Sequence, residues 1–319
     1  MTGPVAGATP ARARISAPPA APATAAAPRS AAAQRSHPGG RYRARRIWLR
    51  ARRGMVITLL SVLAVIWLLP IVYMVSVSLR TPADVFNPSL VTTHVTGENY
   101  AQVFADNPIP RYLLNSVIVT VISTLIVVAA GAMFAFASTV LKLRYSRAMF
   151  AAILITLMVP LSSLVVPLGA LLKQFGWINN YLGLIMPYAA LGIPFAVVVL
   201  AGFMQDLPRD VFEAAVIDGA GLWKFLTRVV LPMLRPSLIF VAVWQFITGW
   251  NEFFLALTVM TQNQMMTLPL IPQQYAGVYL GNPGALFAIL TFVAAPLILL
   301  FVVVQRWFVA GLLEGAVKG

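Results

Sequence analysis

The chain has 319 residues, of which 60% are hydrophobic and 10% are charged, with a mean hydropathy of +0.84 and a net charge of +14. The hydropathy excludes an ordinary soluble domain, and the charge does not indicate a nucleic-acid ligand because it is concentrated in the N-terminal tail. The absence of cysteine excludes disulfides and thiolate sites, and the two histidines, His37 in the tail and His94 in a polar loop, offer no histidine metal cluster.

Residues 1–53 form a basic Ala/Pro/Arg-rich segment with eleven arginines and no acidic residue. The segment has no periodic apolar spacing, so we predict that it is disordered. An Arg-rich, acid-free start also resembles an organelle transit peptide, although the proline content argues against an amphipathic helix. The simpler interpretation is a cytoplasmic tail that lies along anionic membrane lipid.

Six apolar spans follow and predict an all-α polytopic membrane protein with six transmembrane helices in a domain of residues 54–309. The spans cover residues 55–79, 113–138, 149–172, 182–204, 237–260 and 286–309. At 1.5 Å per residue, each is long enough to cross a hydrocarbon core of about 30 Å. Six prolines fall inside the spans and are expected to kink them. They are Pro70, Pro160, Pro167, Pro187, Pro194 and Pro296.

The distribution of lysine and arginine predicts the orientation, because cytoplasmic loops carry an excess of both. With the N-terminus inside, the cytoplasmic segments hold the eleven tail arginines and nine further basic residues. Only Arg80, Arg111 and Lys173 remain outside. Both termini and the loop of residues 206–235 are therefore predicted to be cytoplasmic.

The loop of residues 206–235 contains four of the nine acidic residues of the chain. The four are Asp206, Asp210, Glu213 and Asp218. Pro208 favours the first turn of a helix and Gly219 favours its left-handed end, so a helix is predicted between them. A second helix over about residues 222–230 should stop before Pro232. The alternative interpretation is a solvated surface helix whose charges only keep it soluble.

Within this loop the segment EAAVIDGAG, followed by LP, resembles the motif of the membrane subunits of bacterial ABC importers. The matching residues are Glu213, Ala214, Ala215, Gly219, Leu231 and Pro232, with Asp218 and Ala220 beside the glycine. The resemblance implies a type I ABC importer permease fold. It also implies that these residues form a coupling helix that docks into a cleft on an ATPase subunit.

A second resemblance extends over residues 55–319. The stretches QRWFVAGLLEGAVKG (residues 305–319) and WNEFFLAL (250–257), with the pairs Asn99-Tyr100 and Asn115-Ser116, are similar to carbohydrate-uptake permeases of the maltose-permease G-like type. The long tail and Leu313-Glu314 depart from the family pattern. The resemblance implies that the cytoplasmic tail of residues 310–319 reaches the ATPase dimer interface; a frayed terminus is the alternative. The tail residues concerned are Gly315, Ala316, Val317, Lys318 and Gly319.

The fifth span contains a polar stripe that is a candidate lining of a transport pathway. Gln245, Thr248 and Glu252 are spaced to share one helix face, with Trp244 and Asn251 beside it. A charged residue within a span is a functional candidate because burying it in lipid is costly. Alternatively, Glu252 lies near the outer interface or bonds to a neighbouring helix.

The sequence contains no phosphate loop of the G-x-x-x-x-G-K-[ST] type and no helix-borne metal motif, so we predict no catalytic residue and no cofactor in this chain. The resemblance implies one subunit of a sugar importer in a bacterial inner membrane. Its partners would be a second homologous permease, two copies of an ATPase subunit that binds ATP and Mg, and an extracytoplasmic sugar-binding protein. Alternatives are a membrane-anchored scaffold, a secondary transporter, or a permease for a solute such as glycerol phosphate.

Overall fold

A computed structural model of the chain describes residues 39–141, 143–276 and 281–316, and the fold over these residues is helical. An isolated antiparallel bridge between Arg80 and Val95 is the only β-type pairing within them. The helices are α1 (Gly39–Ser78), α2 (Glu98–Asp106), α3 (Ile109–Thr139), α4 (Ser146–Thr156), α5 (Leu161–Gln174), α6 (Leu182–Gln205), α7 (Arg209–Ile217), α8 (Leu222–Met233), α9 (Arg235–Trp250), α10 (Phe254–Val259), α11 (Pro272–Tyr275) and α12 (Pro283–Ala316).

The chain divides into two compact units, residues 1–61 and residues 62–319. In the first unit, all of the described residues are helical, and α1 begins at Gly39, inside the segment predicted to be a disordered tail. Between Gly40 and Gly54 there is neither proline nor glycine, and arginine is a good helix former, so no residue there ends the helix. The rest of the predicted tail, residues 1–38, lies outside the described residues.

Within the part of the chain that the structure describes, four helical segments are long and apolar enough to cross a membrane by themselves, and two bent pairs of helices bring the number to six. The four are Ala51–Ser78, Ile109–Thr139, Leu182–Gln205 and Pro283–Arg306. The helices α4 and α5 meet at an angle of 99°, and α8 and α9 meet at 80°. The first bend therefore interrupts the predicted third span, and the second bend lies just before the predicted fifth span.

The span predicted over residues 237–260 is not one continuous helix. The helix α9 ends at Trp250, and α10 begins at Phe254 after a break of three residues. In the third span the break lies at residues 157–160, where Pro160 has an extended backbone. The helix α12 is longer than the predicted sixth span, since it continues beyond residue 309 and ends at Ala316.

The proline-containing helix of the 206–235 loop also differs from the prediction. The helix α8 does not stop before Pro232 but continues to Met233. A π-helical turn over Leu226–Val230 precedes the proline, and the Leu231 N–H donates to the Leu226 carbonyl five residues earlier. In this wider turn the backbone hydrogen bonds join residues five apart instead of four. The helix can therefore continue through Pro232, which has no N–H to donate.

The core of the second unit rests on close packing between α3 and α6. A Cβ added to Gly131 on α3 would lie 2.6 Å from the Cβ of Ala196 on α6, so the two backbones approach as closely as a glycine allows. Small residues permit this approach between membrane helices, where van der Waals packing is a main source of association. The buried core around this contact also contains residues of α7, α8 and α9.

A matched pair of glycine variants tests this packing. We expect Gly131→Ala to destabilise the protein by about 1–3 kcal/mol, because its methyl group overpacks the α3–α6 contact. Gly202→Ala on α6 is the control, since no atom lies within 4 Å of its added Cβ. The measurement is the thermal unfolding midpoint in detergent. Equal midpoints for Gly131→Ala and the wild type would contradict this account of the helix contact.

Candidate functional site

Gly219 ends α7 in a left-handed conformation, as the sequence predicts. Its φ is +63°, and no atom lies within 4 Å of a Cβ built on it, so backbone conformation alone favours glycine here. The Ala220 N–H donates to the Ala215 carbonyl at 3.0 Å, and the Asp218 N–H donates to the Ala214 carbonyl at 2.9 Å. The six-to-one bond from Ala220 is the mark of a Schellman ending, which fixes the direction of the chain after the helix.

The helix α7 turns one side outward and one side toward the helical core. Glu213, Ala214, Asp218 and Gly219 are exposed, whereas Ala215 is buried. The two alanines of the motif are therefore on different faces, and only Ala214 is accessible to a partner. Glu213 also lines the rim of a cavity of about 510 Å³ beside the ends of α3 and α6.

Three aromatic rings connect this loop to a transmembrane helix. Phe212 of α7 meets Phe225 of α8 edge to face at 5.3 Å, and Phe225 meets Phe136 of α3 at 5.9 Å. Phe225 is buried with Ala215 in the same core. These contacts pack α7 and α8 against α3 in one hydrophobic core.

The tip of the loop exposes large apolar side chains. Ile217 is 85% exposed, Trp223 is 69% exposed and Leu222 is 62% exposed, and they flank the Gly219 turn. Exposed apolar side chains with charged neighbours such as Asp218 and Lys224 are typical of a surface that binds another protein. Farther along, Leu231 is partly buried against the core and Pro232 is exposed.

The structure brings four of the five pathway candidates to one cavity of about 300 Å³. Trp244, Gln245, Thr248 and Glu252 line it, together with residues of α6. Asn251 does not line it: this residue caps the end of α9, and its amide donates to the Ile247 carbonyl at 2.9 Å. The role of the other four in a pathway stays a prediction.

Glu252 lies in the break between α9 and α10 and accepts three hydrogen bonds there. The Tyr188 hydroxyl donates to Oε2 at 2.6 Å. The Leu255 N–H donates to Oε1 at 2.8 Å, and the Ala256 N–H donates to Oε2 at 3.0 Å. The carboxylate thus satisfies backbone donors that the break leaves without a helical partner, and it connects them to α6.

The α6 side of this cavity was not predicted from the sequence. Tyr188, Gly192 and Phe195 lie at helical spacings of four and three, so they share one face of α6. That spacing was a usable signal, but it was hidden in a span that is apolar throughout. The ring of Phe195 stacks on Trp244, with centroids 5.0 Å apart and planes 27° apart.

The Asn115-Ser116 pair fastens the segment that follows α10. The Asn115 amide donates to the Gln264 carbonyl at 3.1 Å and to the Met266 carbonyl at 2.9 Å. The Ser116 hydroxyl accepts from the Leu268 N–H at 2.8 Å. These residues therefore hold the chain between α10 and α11 against α3.

Tyr275, at the end of this segment, is also buried. Its hydroxyl donates to Asp106 Oδ2 at 3.3 Å and accepts from the Asn107 amide at 2.6 Å. Burial, followed by the charge of the neighbouring Asp106 carboxylate, raises the pKa of Tyr275 to about 12. The phenol is consequently protonated at neutral pH and keeps both bonds.

The C-terminal candidates are only partly within the described residues. Gly315 and Ala316 form the end of α12, and Val317, Lys318 and Gly319 lie outside the described residues. Over the residues described, no group of three histidine, aspartate or glutamate side chains is arranged to hold a metal ion.

Two relatives are similar over most of the chain. The diacetylchitobiose uptake system permease protein NgcG of Streptomyces coelicolor is 34% identical over 263 residues, which cover 82% of this chain and 87% of the relative. The trehalose/maltose transport system permease protein MalG of Thermococcus litoralis is 32% identical over 260 residues, covering 81% and 94% respectively. The resemblance to carbohydrate-uptake permeases is thereby confirmed.

The fold matches a solved membrane transporter. The crystal structure of a bacterial ABC transporter involved in the import of the acidic polysaccharide alginate superposes with a TM-score of 0.71 at 21% identity, over 81% of this chain and 97% of that chain. The family of binding-protein-dependent transport system inner membrane components matches residues 127–314, which include α7, the Gly219 turn and the cavity beside Glu252. The chain belongs to this family of inner membrane transport components.

Proposed function

We propose that this chain is one of two permease subunits of an ATP-driven sugar importer, and that the loop of residues 206–235 couples it to an ATPase subunit. The observation that supports this proposal most is the structure of the loop. Its helix α7 exposes Glu213, its tip is apolar, and a buried aromatic ring connects it to α3. A solvated surface helix would need neither the apolar tip nor that connection.

Coupling requires a rigid element that a partner can move. The Schellman ending at Gly219 fixes the angle between α7 and α8, and Ile217, Leu222 and Trp223 offer apolar area to a cleft on the partner. Closure of two ATPase subunits would displace α7, and the packed Phe212, Phe225 and Phe136 would pass the displacement to α3. The membrane cavity would then alternate in its access.

The remaining parts of the machine belong to partners. ATP and Mg would be bound by the ATPase subunits, and a second homologous permease would complete the pathway. An extracytoplasmic binding protein would deliver the sugar. The excess of basic residues supports a cytoplasmic position for the loop and both termini. We propose that the helices lie in the inner membrane of a bacterium. The end of α12, with Gly315 and Ala316, would approach the ATPase dimer.

The relatives support a sugar as the substrate. Their names specify diacetylchitobiose in one protein and trehalose or maltose in the other, and all of these are uncharged sugars. We therefore propose a disaccharide or oligosaccharide as the transported solute. The polar residues Gln245, Thr248 and Glu252 beside Trp244 are suited to a ligand with many hydroxyl groups.

The first test is copurification from the native membrane. A tagged wild-type chain is expected to bring an ATPase subunit and a second permease with it. The double variant Glu213→Lys, Gly219→Asp should retain the second permease and lose the ATPase, because the charge and turn of the loop are altered while the membrane helices are not. Mass spectrometry of the purified complex provides the readout.

The absence of any ATPase from wild-type preparations in several mild detergents would refute the proposed function and favour a scaffold protein. An ATPase that remains bound to the double variant would place the docking surface elsewhere.

A second test separates backbone conformation from side-chain size at Gly219. In Gly219→Val the left-handed conformation costs about 1–2 kcal/mol, so the end of α7 should move and coupled ATP hydrolysis should fall about five- to thirtyfold. Gly219→Asn is the matched control, because asparagine tolerates this conformation and space is open around the site. ATP hydrolysis stimulated by the binding protein is measured in the assembled complex. Equal activity of the valine variant and the wild type would contradict coupling through this turn.

A further inference from the structure

The cavity beside Glu252 lies between α6 and α9. Counted at 1.5 Å per residue, Trp244 is about 14 Å along α9 from the start of this helix. The cavity volume of about 300 Å³ is at the lower end of the range for small-molecule sites. Leu157 and Leu161, at the break of the third span, contribute to its wall.

One side of the cavity is an aromatic surface. Trp244 stacks on Phe195 at 5.0 Å, and this pairing holds the indole in place while 47% of it stays exposed. The C–H face of a pyranose ring is apolar, and it can pack on such a surface with little loss of hydration. A rigid exposed indole in this cavity is therefore a suitable platform for a sugar ring.

The other side of the cavity is polar. Gln245 is buried, and its amide nitrogen donates to the Tyr188 carbonyl at 3.3 Å. Glu252 has about four lone-pair sites, of which three accept from Tyr188, Leu255 and Ala256. The site left on Oε1 can accept one hydroxyl group of a ligand.

The charge of the cavity is negative. Among the described lining residues, Glu252 is the only acidic one, and none is lysine, arginine or histidine. A carboxylate in a partly desolvated cavity repels a second anion more strongly than it would in water. A neutral sugar can donate a hydroxyl to Glu252, whereas a uronate would bring a carboxylate to it.

We infer that this cavity is a subsite for one ring of an uncharged sugar and that Glu252 excludes anionic sugars. The inference rests on the proposed function, since it assigns a substrate class to the pathway of that importer. The aromatic pair provides affinity for the ring, and the carboxylate provides discrimination by charge.

The test uses the complete complex, purified from its native membrane and placed in lipid nanodiscs. Methyl α-glucoside and methyl α-glucuronide are matched probes that differ only in a hydroxymethyl or a carboxylate group. Saturation-transfer NMR measures their binding at millimolar concentrations. The glucoside is expected to bind at least about tenfold more tightly than the glucuronide, a difference of about 1.4 kcal/mol. Its ring C–H protons should receive the strongest transfer.

Variants assign the binding to this chain. Trp244→Leu should weaken glucoside binding about tenfold, because it removes the stacking surface and keeps an apolar side chain. Glu252→Gln should allow the glucuronide to bind. Tyr188→Phe should still prevent its binding, because this variant keeps the negative charge of Glu252. If Glu252→Gln does not fold, Thr248→Lys provides the same test, since its cation offsets the carboxylate without touching the Glu252 bonds.

Three results would overturn the inference: equal binding of the two probes to the wild type, no binding of the glucoside, or glucoside binding that Trp244→Leu leaves unchanged. Each of them leaves the proposed function standing if the same preparation contains the ATPase and hydrolyses ATP. A preparation without an ATPase refutes the proposed function itself, so the two failures are distinguishable.

Discussion

A helix that breaks within a membrane leaves backbone N–H groups that no water can satisfy. In this chain Glu252 lies in the break between α9 and α10. Its carboxylate accepts hydrogen bonds from the N–H groups of Leu255 and Ala256 and from the Tyr188 hydroxyl. One carboxylate thereby stabilises the start of α10, attaches it to α6 and places a negative charge at the cavity. The position of the pathway candidates depends on this interaction.

The packing around α3 connects the two regions on which function would depend. At one end, Phe136 contacts Phe225, which brings the Gly219 loop into the buried core. In the middle, Gly131 allows α6 to approach, and α6 carries Tyr188 and Phe195 to the cavity. At the other end, Asn115 holds the segment after α10. The loop, the cavity-lining helix α6 and the segment after α10 are thus all packed against α3.

The cavity suggests how permeases of one fold can differ in substrate. An aromatic surface accommodates many sugar rings, because stacking depends on the C–H face and not on a particular hydroxyl pattern. In the inferred subsite, one charged side chain would divide neutral from anionic substrates. In this chain Glu252 serves the helix break as well, so the charge and the backbone geometry are tied to the same residue.

The sequence by itself determined the class of the protein, most of its apolar spans and the end of α7, because these depend on local hydropathy and on the backbone freedom of Gly219. It also identified Trp244, Gln245, Thr248 and Glu252 as polar or aromatic residues in an apolar span. It did not predict the break after Trp250, the passage of α8 through Pro232, or the contribution of Tyr188 and Phe195. Only the tertiary structure decided these features. The break and the α6 residues depend on hydrogen bonds or packing between segments distant in the chain, and the passage through Pro232 depends on the register of the backbone hydrogen bonds.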